Sequence, residues 1–174
     1  SGTDADTIER VVLADSGTVL TIAQIRDRLL LDAASENADT ILGTDIADQL
    51  NGGAGADLLD GRGGDDTYIY RIGDGLDRLE DSSSTSTDIL QIEGYTVSDI
   101  VSLRRSPANG DDLIIEFSRA GDLVFVGSAL NPDAVGIETI SFEDGTTWSV
   151  TELRALVLDG AGSTGIETIY GFDG

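Results

Sequence analysis

Four aspartates, Asp39, Asp48, Asp57 and Asp66, fall nine residues apart, and two positions after each stands a large apolar residue: Ile41, Leu50, Leu59 and Tyr68. The chain has no His, no Cys and no Met, which removes imidazole and thiolate metal sites, disulfides and His-based proton transfer. A carboxylate in such company has two uses: pairing with another carboxylate for acid–base work, or giving oxygen to a hard cation. Calcium takes about six to eight oxygen ligands at roughly 2.3–2.6 Å, so regularly spaced acids in tight turns suit it.

The spacing also says which elements would carry these acids. The frames read ASENADTIL, GTDIADQLN, GGAGADLLD and GRGGDDTYI over residues 34–69. The third fits G-G-x-G-x-D-x-U-x, with U a large apolar residue, at every specified position; the fourth lacks only the second glycine. Six Gly/Asp-rich residues turn the chain, because glycine reaches backbone angles closed to other residues. The other three form a short strand with its apolar residue pointing inward. Two frames make one coil of eighteen residues, and stacked coils make a parallel β-roll.

Turns two frames apart then face one another. This predicts one calcium site between residues 43–48 and 61–66, with Asp48 and Asp66, and another between 34–39 and 52–57, with Asp39 and Asp57. A third joins Asp57 to Asp74 or Asp77. Backbone carbonyls of Gly52, Ala54, Gly61 and Gly63 complete the coordination, and Asp45, Asp60 and Asp65 either assist or sit in solvent. An EF-hand fits worse, since neither its D-x-[DN]-x-[DN]-G run nor its Glu at position twelve is present.

These frames resemble the RTX, or haemolysin-type, calcium-binding repeats of secreted bacterial proteins, specifically over residues 43–69 and more loosely beside them. The resemblance implies a calcium-bound β-roll, export in an unfolded state by type I secretion machinery, and folding outside the cell. Residues 70–148, with GDGLDRLED, DDLIIEF and IETISFEDGTTW, resemble the β-rich segment that often follows such repeats.

Charge narrows the partners. Lys+Arg number 10 against Asp+Glu 33, a formal net charge of -23. Such a surface repels nucleic acid and anionic membrane, so neither is expected as a partner, nor is membrane insertion. All the bases are Arg, so no phosphate-binding G-x-x-x-x-G-K-[ST] loop exists. ADSGT at 14–18 has the form of an aspartic-protease D-[ST]-G-[ST], but its aligned copy EDGT at 143–146 lacks the serine, and both read as turns. No spacing selects a glycosidase carboxylate pair. The chain is read as a non-enzyme: extracellular, a monomer.

A longer repeat is also visible. Residues 10–45 align with 139–173 across one gap at Ser16, which suggests an excerpt of a tandem array. Each copy gives two strands around a turn, then a helix with a capping box: TIAQ with Ile22, Ile25 and Leu29 on one face, and SVTE with Val150, Leu153 and Val157. Asp144–Gly145 marks a hairpin, Asn109–Gly110 and Ala120–Gly121 mark turns, and Trp148 is expected beneath the second helix. The expected fold is thus all-β: a calcium β-roll continued by a β-rich segment, with capping helices near 21–31 and 149–158. The expected divisions are 1–33 (end of a preceding repeat), 34–69 (nonapeptide roll), 70–148 (β-rich continuation) and 149–174 (cap and next repeat). The function expected is a calcium-dependent module in an adhesin-like stalk touching neighbouring repeats. Its alternatives are an adhesive module, with Tyr95 or Tyr170 stacking on sugars, and a folding aid beside an enzyme.

Overall fold

The computed structural model describes residues 10–14, 16–83, 86–131 and 136–159. A hairpin of β1 (Arg10–Val12) and β2 (Val19–Thr21) leads into helix α1 (Ile22–Ala33). The Thr21 side chain accepts from the Gln24 N–H and the Gln24 side chain answers the Thr21 N–H, so the expected capping box forms. Six strands follow: β3 (Thr40–Leu42), β4 (Gln49–Leu50), β5 (Leu58–Asp60), β6 (Thr67–Arg71), β7 (Leu76–Glu80) and β8 (Asp88–Glu93). They alternate between two facing sheets, β3, β5 and β7 in one and β4, β6 and β8 in the other, all parallel within their sheet.

The nine-residue period explains the alternation. Ile41 lies opposite Leu59 and Leu59 opposite Leu79 in one sheet, while Leu50 lies opposite Tyr68 and Tyr68 opposite Leu90 in the other. All six are at most 2% exposed. Removing such a ladder from water is the main apolar drive for strands this short. At the turns glycine is needed where backbones touch. Gly64 adopts φ +104°, and a Cβ there would sit 2.3 Å from the Ile46 carbonyl carbon.

Beyond Tyr70 the coils widen, and the extra chain becomes new strands. A meander of β9 (Ile100–Arg105), β10 (Leu113–Phe117) and β11 (Leu123–Val126) brings β11 in parallel beside β7. The turns at Asn109–Gly110 and Ala120–Gly121 fall between these strands, with both glycines at positive φ. Strand β12 (Ile137–Phe142) runs parallel to β8 and returns through Asp144–Gly145 as β13 (Thr147–Ser149), followed by α2 (Val150–Asp159). The final sheet orders are β3-β5-β7-β11-β10-β9 and β13-β12-β8-β6-β4. The protein is all-β, a β-roll with a β-rich continuation and two short helices.

Three expectations about side chains need correction. The stripe Ile22, Ile25, Leu29 does not seal the roll in this chain: Ile22 is 45% and Leu29 65% exposed. Helix α1 instead presents the neighbouring stripe, where Leu30 packs on the core and Arg26 is drawn to a buried carboxylate. In α2 the equivalent stripe does pack, with Val150, Leu153 and Val157 all in the core. Trp148 is only half-buried, its ring set edge-on to Phe142 at 4.9 Å. Tyr95 is buried, stacked on Phe117 at 4.4 Å with its hydroxyl on Asp122, so it offers no face to a sugar. Tyr170 lies outside the described residues.

Candidate metal centre

The frames set their aspartates in two columns. In the first, the Asp39 N–H donates to Asp57 Oδ1 at 2.8 Å and the Asp57 N–H to Asp77 Oδ1 at 3.1 Å. In the second, the Asp48 N–H donates to Asp66 Oδ1 and the Asp66 N–H to Asp88 Oδ1, both at 2.8 Å; the Asp88 N–H then donates to Glu138 Oε2 at 2.7 Å. Each carboxylate therefore accepts the N–H of the aspartate one coil earlier. The steps are 18 residues between regular frames, then 20 to Asp77 and 22 to Asp88.

The second oxygen divides the acids into two kinds. Asp39 Oδ2 accepts from the Ser35 N–H and hydroxyl, and Asp48 Oδ2 from the Thr44 N–H and hydroxyl. The residue four before Asp57 and Asp66 is instead Gly53 or Arg62, both at positive φ and without a hydroxyl. Asp57 Oδ2 and Asp66 Oδ2 are accordingly buried with no hydrogen-bond partner. The turn leaves room for them only because Gly52 and Gly61 lack a Cβ, which would stand 2.3 Å from each oxygen. A buried polar atom left unpaired costs about 1–3 kcal/mol, more when charged, so both oxygens are suited to a cation.

Around Asp66 the crowding is greatest. Ligand oxygens of Asp66, Asp81 and Asp88 lie within 4.8 Å of one another. Burial, then the charges of Asp88, Asp48 and Asp81, pushes the Asp66 carboxyl up to about 7 despite the Asp48 N–H. Burial and Asp88 push Asp81 up to about 6. Burial also raises Asp77 to about 8, with Asp57 and Asp74 adding to it, and raises Asp57. Carboxylates that resist ionising together are what a divalent cation relieves, and an all-oxygen donor set suits calcium.

The sequence-derived candidates distribute as follows. Asp39, Asp57 and Asp77 share one column; Asp48 and Asp66 share the other. Of the pair left open, Asp77 is in register with Asp57, whereas Asp74 closes the turn at 71–74 by accepting from the Arg71 N–H and Asn51 Nδ2. Gly52 and Gly61 are buried against the carboxylates, Gly63 is half-buried with its N–H on the Thr44 carbonyl, and Ala54 is exposed. Asp45 and Asp65 are exposed and Asp60 half-buried.

Four participants escape the ninefold rule: Asp81, Asp88, Glu138 and Arg26. Asp88 carries a trace of it, being followed two residues later by Leu90; the others carry none. Arg26 Nε stands 2.8 Å from Asp48 Oδ1, an ion pair by distance rather than an aligned hydrogen bond, and Nη2 donates to the Ala47 carbonyl at 2.9 Å. The first oxygen of Asp48 thus faces a guanidinium at the end of its column.

Residues 112–152 match the haemolysin-type calcium binding protein related domain. The match to the haemolysin-type domain spans β10 to the start of α2, the part that abuts the last coil and supplies Glu138. Among solved structures, the chain is similar to the solution structure of the AlgE6R3 subunit from the Azotobacter vinelandii mannuronan C5-epimerase. The likeness has 22% identity and a TM-score of 0.33, covering 81% of this chain and 85% of that one. None of the curated proteins compared with the chain matches it. No described helix is long and apolar enough to cross a membrane.

Proposed function

We propose that the chain is a calcium-binding structural module whose β-roll folds as the ions bind. The carrying observation is Asp66: a buried carboxylate with one oxygen unpartnered, beside the carboxylates of Asp81 and Asp88. Asp66, Asp81 and Asp88 would hold one ion. Asp39, Asp57 and Asp77 would hold ions along the other column; carbonyls of Gly52 and Ala54 would add oxygens there, and those of Gly61 and Gly63 beside Asp66. Bound calcium supplies positive charge that lets the stacked carboxylates stay ionised. The protein's part is to fix those oxygens, keep the apolar ladder beneath them dry, and shield the column ends.

The match of residues 112–152 to a calcium binding protein related domain supports the choice of metal. Ion-coupled folding follows because strands of two to six residues bury too little alone to offset chain entropy. Binding free energy then becomes folding free energy. The wider setting we propose is a secreted or cell-surface protein built of tandem repeats. The role we propose there is mechanical rather than catalytic, with Asp48, Asp57, Asp66, Asp77 and Asp88 buried in the columns. Extracellular calcium suits that setting. The test is circular dichroism with calorimetry. Removing calcium with a chelator should abolish the β-rich spectrum, and readding millimolar calcium should restore it with a measurable number of bound ions. An unchanged spectrum would refute the proposal.

A further inference from the structure

The hairpin β1–β2 with α1 has a second copy in the chain, β12–β13 with α2, and the two hairpins share one register. Val11 faces Leu20 and Val12 faces Val19 in the first; Ile140 faces Trp148 and Ser141 faces Thr147 in the second. Each runs into a helix through a reciprocal cap, Thr21 with Gln24 and Ser149 with Glu152. Their surroundings differ. Strand β12 also pairs with β8 and so belongs to the roll, whereas β1 pairs with β2 alone among the described residues. Val150 and Leu153 are 3% and 0% exposed, and α2 packs on β9, β12 and β13. Their counterpart Ile22 is 45% exposed and Ile25 half-buried, and Leu29 further along α1 is 65% exposed, with Val11, Val12, Leu13 and Val19 of the hairpin exposed as well. Apolar side chains left in water on an element whose second copy packs into the roll mark an interaction site.

We propose that this hairpin and helix dock onto the end of another copy of the same roll, in the place of that copy's own β12–β13 and α2. In the docked state β1 takes the position beside the counterpart of β8 that β12 holds here. Ile22, Ile25 and Leu29 cover that copy's core as Val150, Leu153 and Val157 cover this one. The adjacent stripe of α1 already holds its own roll through Arg26 on Asp48 and through Leu30. One helix therefore serves two rolls, and the joint between units is a shared packed element rather than a linker. This rests on the tandem-repeat reading but not on the identity of the metal.

The test joins two units so that residues 1–149 run directly into 22–174 and α1 of the second copy replaces α2 of the first. All measurements are made in saturating calcium. In the 174-residue chain, Leu29→Ser should leave the melting temperature unchanged, while Leu153→Ser should lower it by about 4–8 °C. In the joined chain, Leu29→Ser at the inner helix, now at the position of Val157, should lower the melting temperature by several degrees, and small-angle scattering should show one straight rod. A silent inner Leu29→Ser, two bodies on a flexible tether, or loss of the first roll's β-rich spectrum would each overturn the docking surface. Calcium counts per unit, taken on the same samples, report on the metal reading separately.

Discussion

Asp66 carries more conflict than any other side chain in the roll: it is 1% exposed, it accepts one N–H through Oδ1 and none through Oδ2, and Asp81 and Asp88 stand beside it. Asp66→Asn keeps the shape and removes the charge. Calcium affinity at this site should fall by at least about tenfold, or about 1.4 kcal/mol, seen as one ion lost or weakened in calorimetry. The same change should stabilise the metal-free chain, which a urea melt in chelator checks. Acidity tests the same conflict. Asp57, Asp66, Asp77 and Asp81 all sit above the ordinary carboxylate range in the folded state, so in the absence of metal their neutral forms favour folding. Their contribution is full below about pH 4 and is lost as pH rises through about 6 to 8. Asp112 pulls the other way at the acid end. Against its own burial, the Ser128 N–H and Arg78 hold it low, so its contribution is lost as pH falls. The metal-free chain should show more β-structure near pH 5 than near pH 8 by circular dichroism, and calcium affinity should climb over that same interval as protons leave.

Among the elements, α1 is tied down by charge as well as by contact. Arg26→Met should leave Asp48 buried without a counter-ion, costing about 3–5 kcal/mol, measured by denaturant unfolding in calcium. Pairing it with Asp48→Asn should recover much of that loss. Asp48 stacks on Asp66 as the ninefold spacing predicts; Arg26 was beyond prediction, because its partner lies 22 positions away and the contact depends on how the helix rolls. The spacing was informative where each residue repeats a local rule: Gly64 needs its positive φ, Leu59 needs its place in the ladder, and Asp144–Gly145 needs its hairpin. It failed where coils lengthen. Asp81 and Asp88 reach Asp66 where the step between stacked aspartates grows to 22 residues, a length that no nine-residue period contains. Helix α1 misled for a related reason: its most apolar stripe is not the one that meets its own roll.

For the molecule as a whole, a net charge of -23 opposes compaction unless cations enter. Simple salt reaches exposed acids such as Asp45 and Asp65 but screens buried ones far less. Raising sodium chloride to about 1 M, with a Debye length near 3 Å, should therefore shrink the chelated chain only partly by small-angle scattering. Calcium at millimolar levels should bring it to full compactness. Magnesium should do less, because it demands near-octahedral geometry and gives up its water reluctantly.

The direction of the aspartate hydrogen bonds has a consequence for how such rolls meet. Because every N–H in a column points toward the C-terminal coil and every carboxylate toward the N-terminal one, the two ends are electrical opposites. One is closed by the guanidinium of Arg26, the other by the carboxylate of Glu138. Two like ends brought nose to nose would set guanidinium against guanidinium or acid against acid. A string of these units consequently has an arrow to it, like an actin strand, and reversal of a single member would be rejected at both of its neighbours.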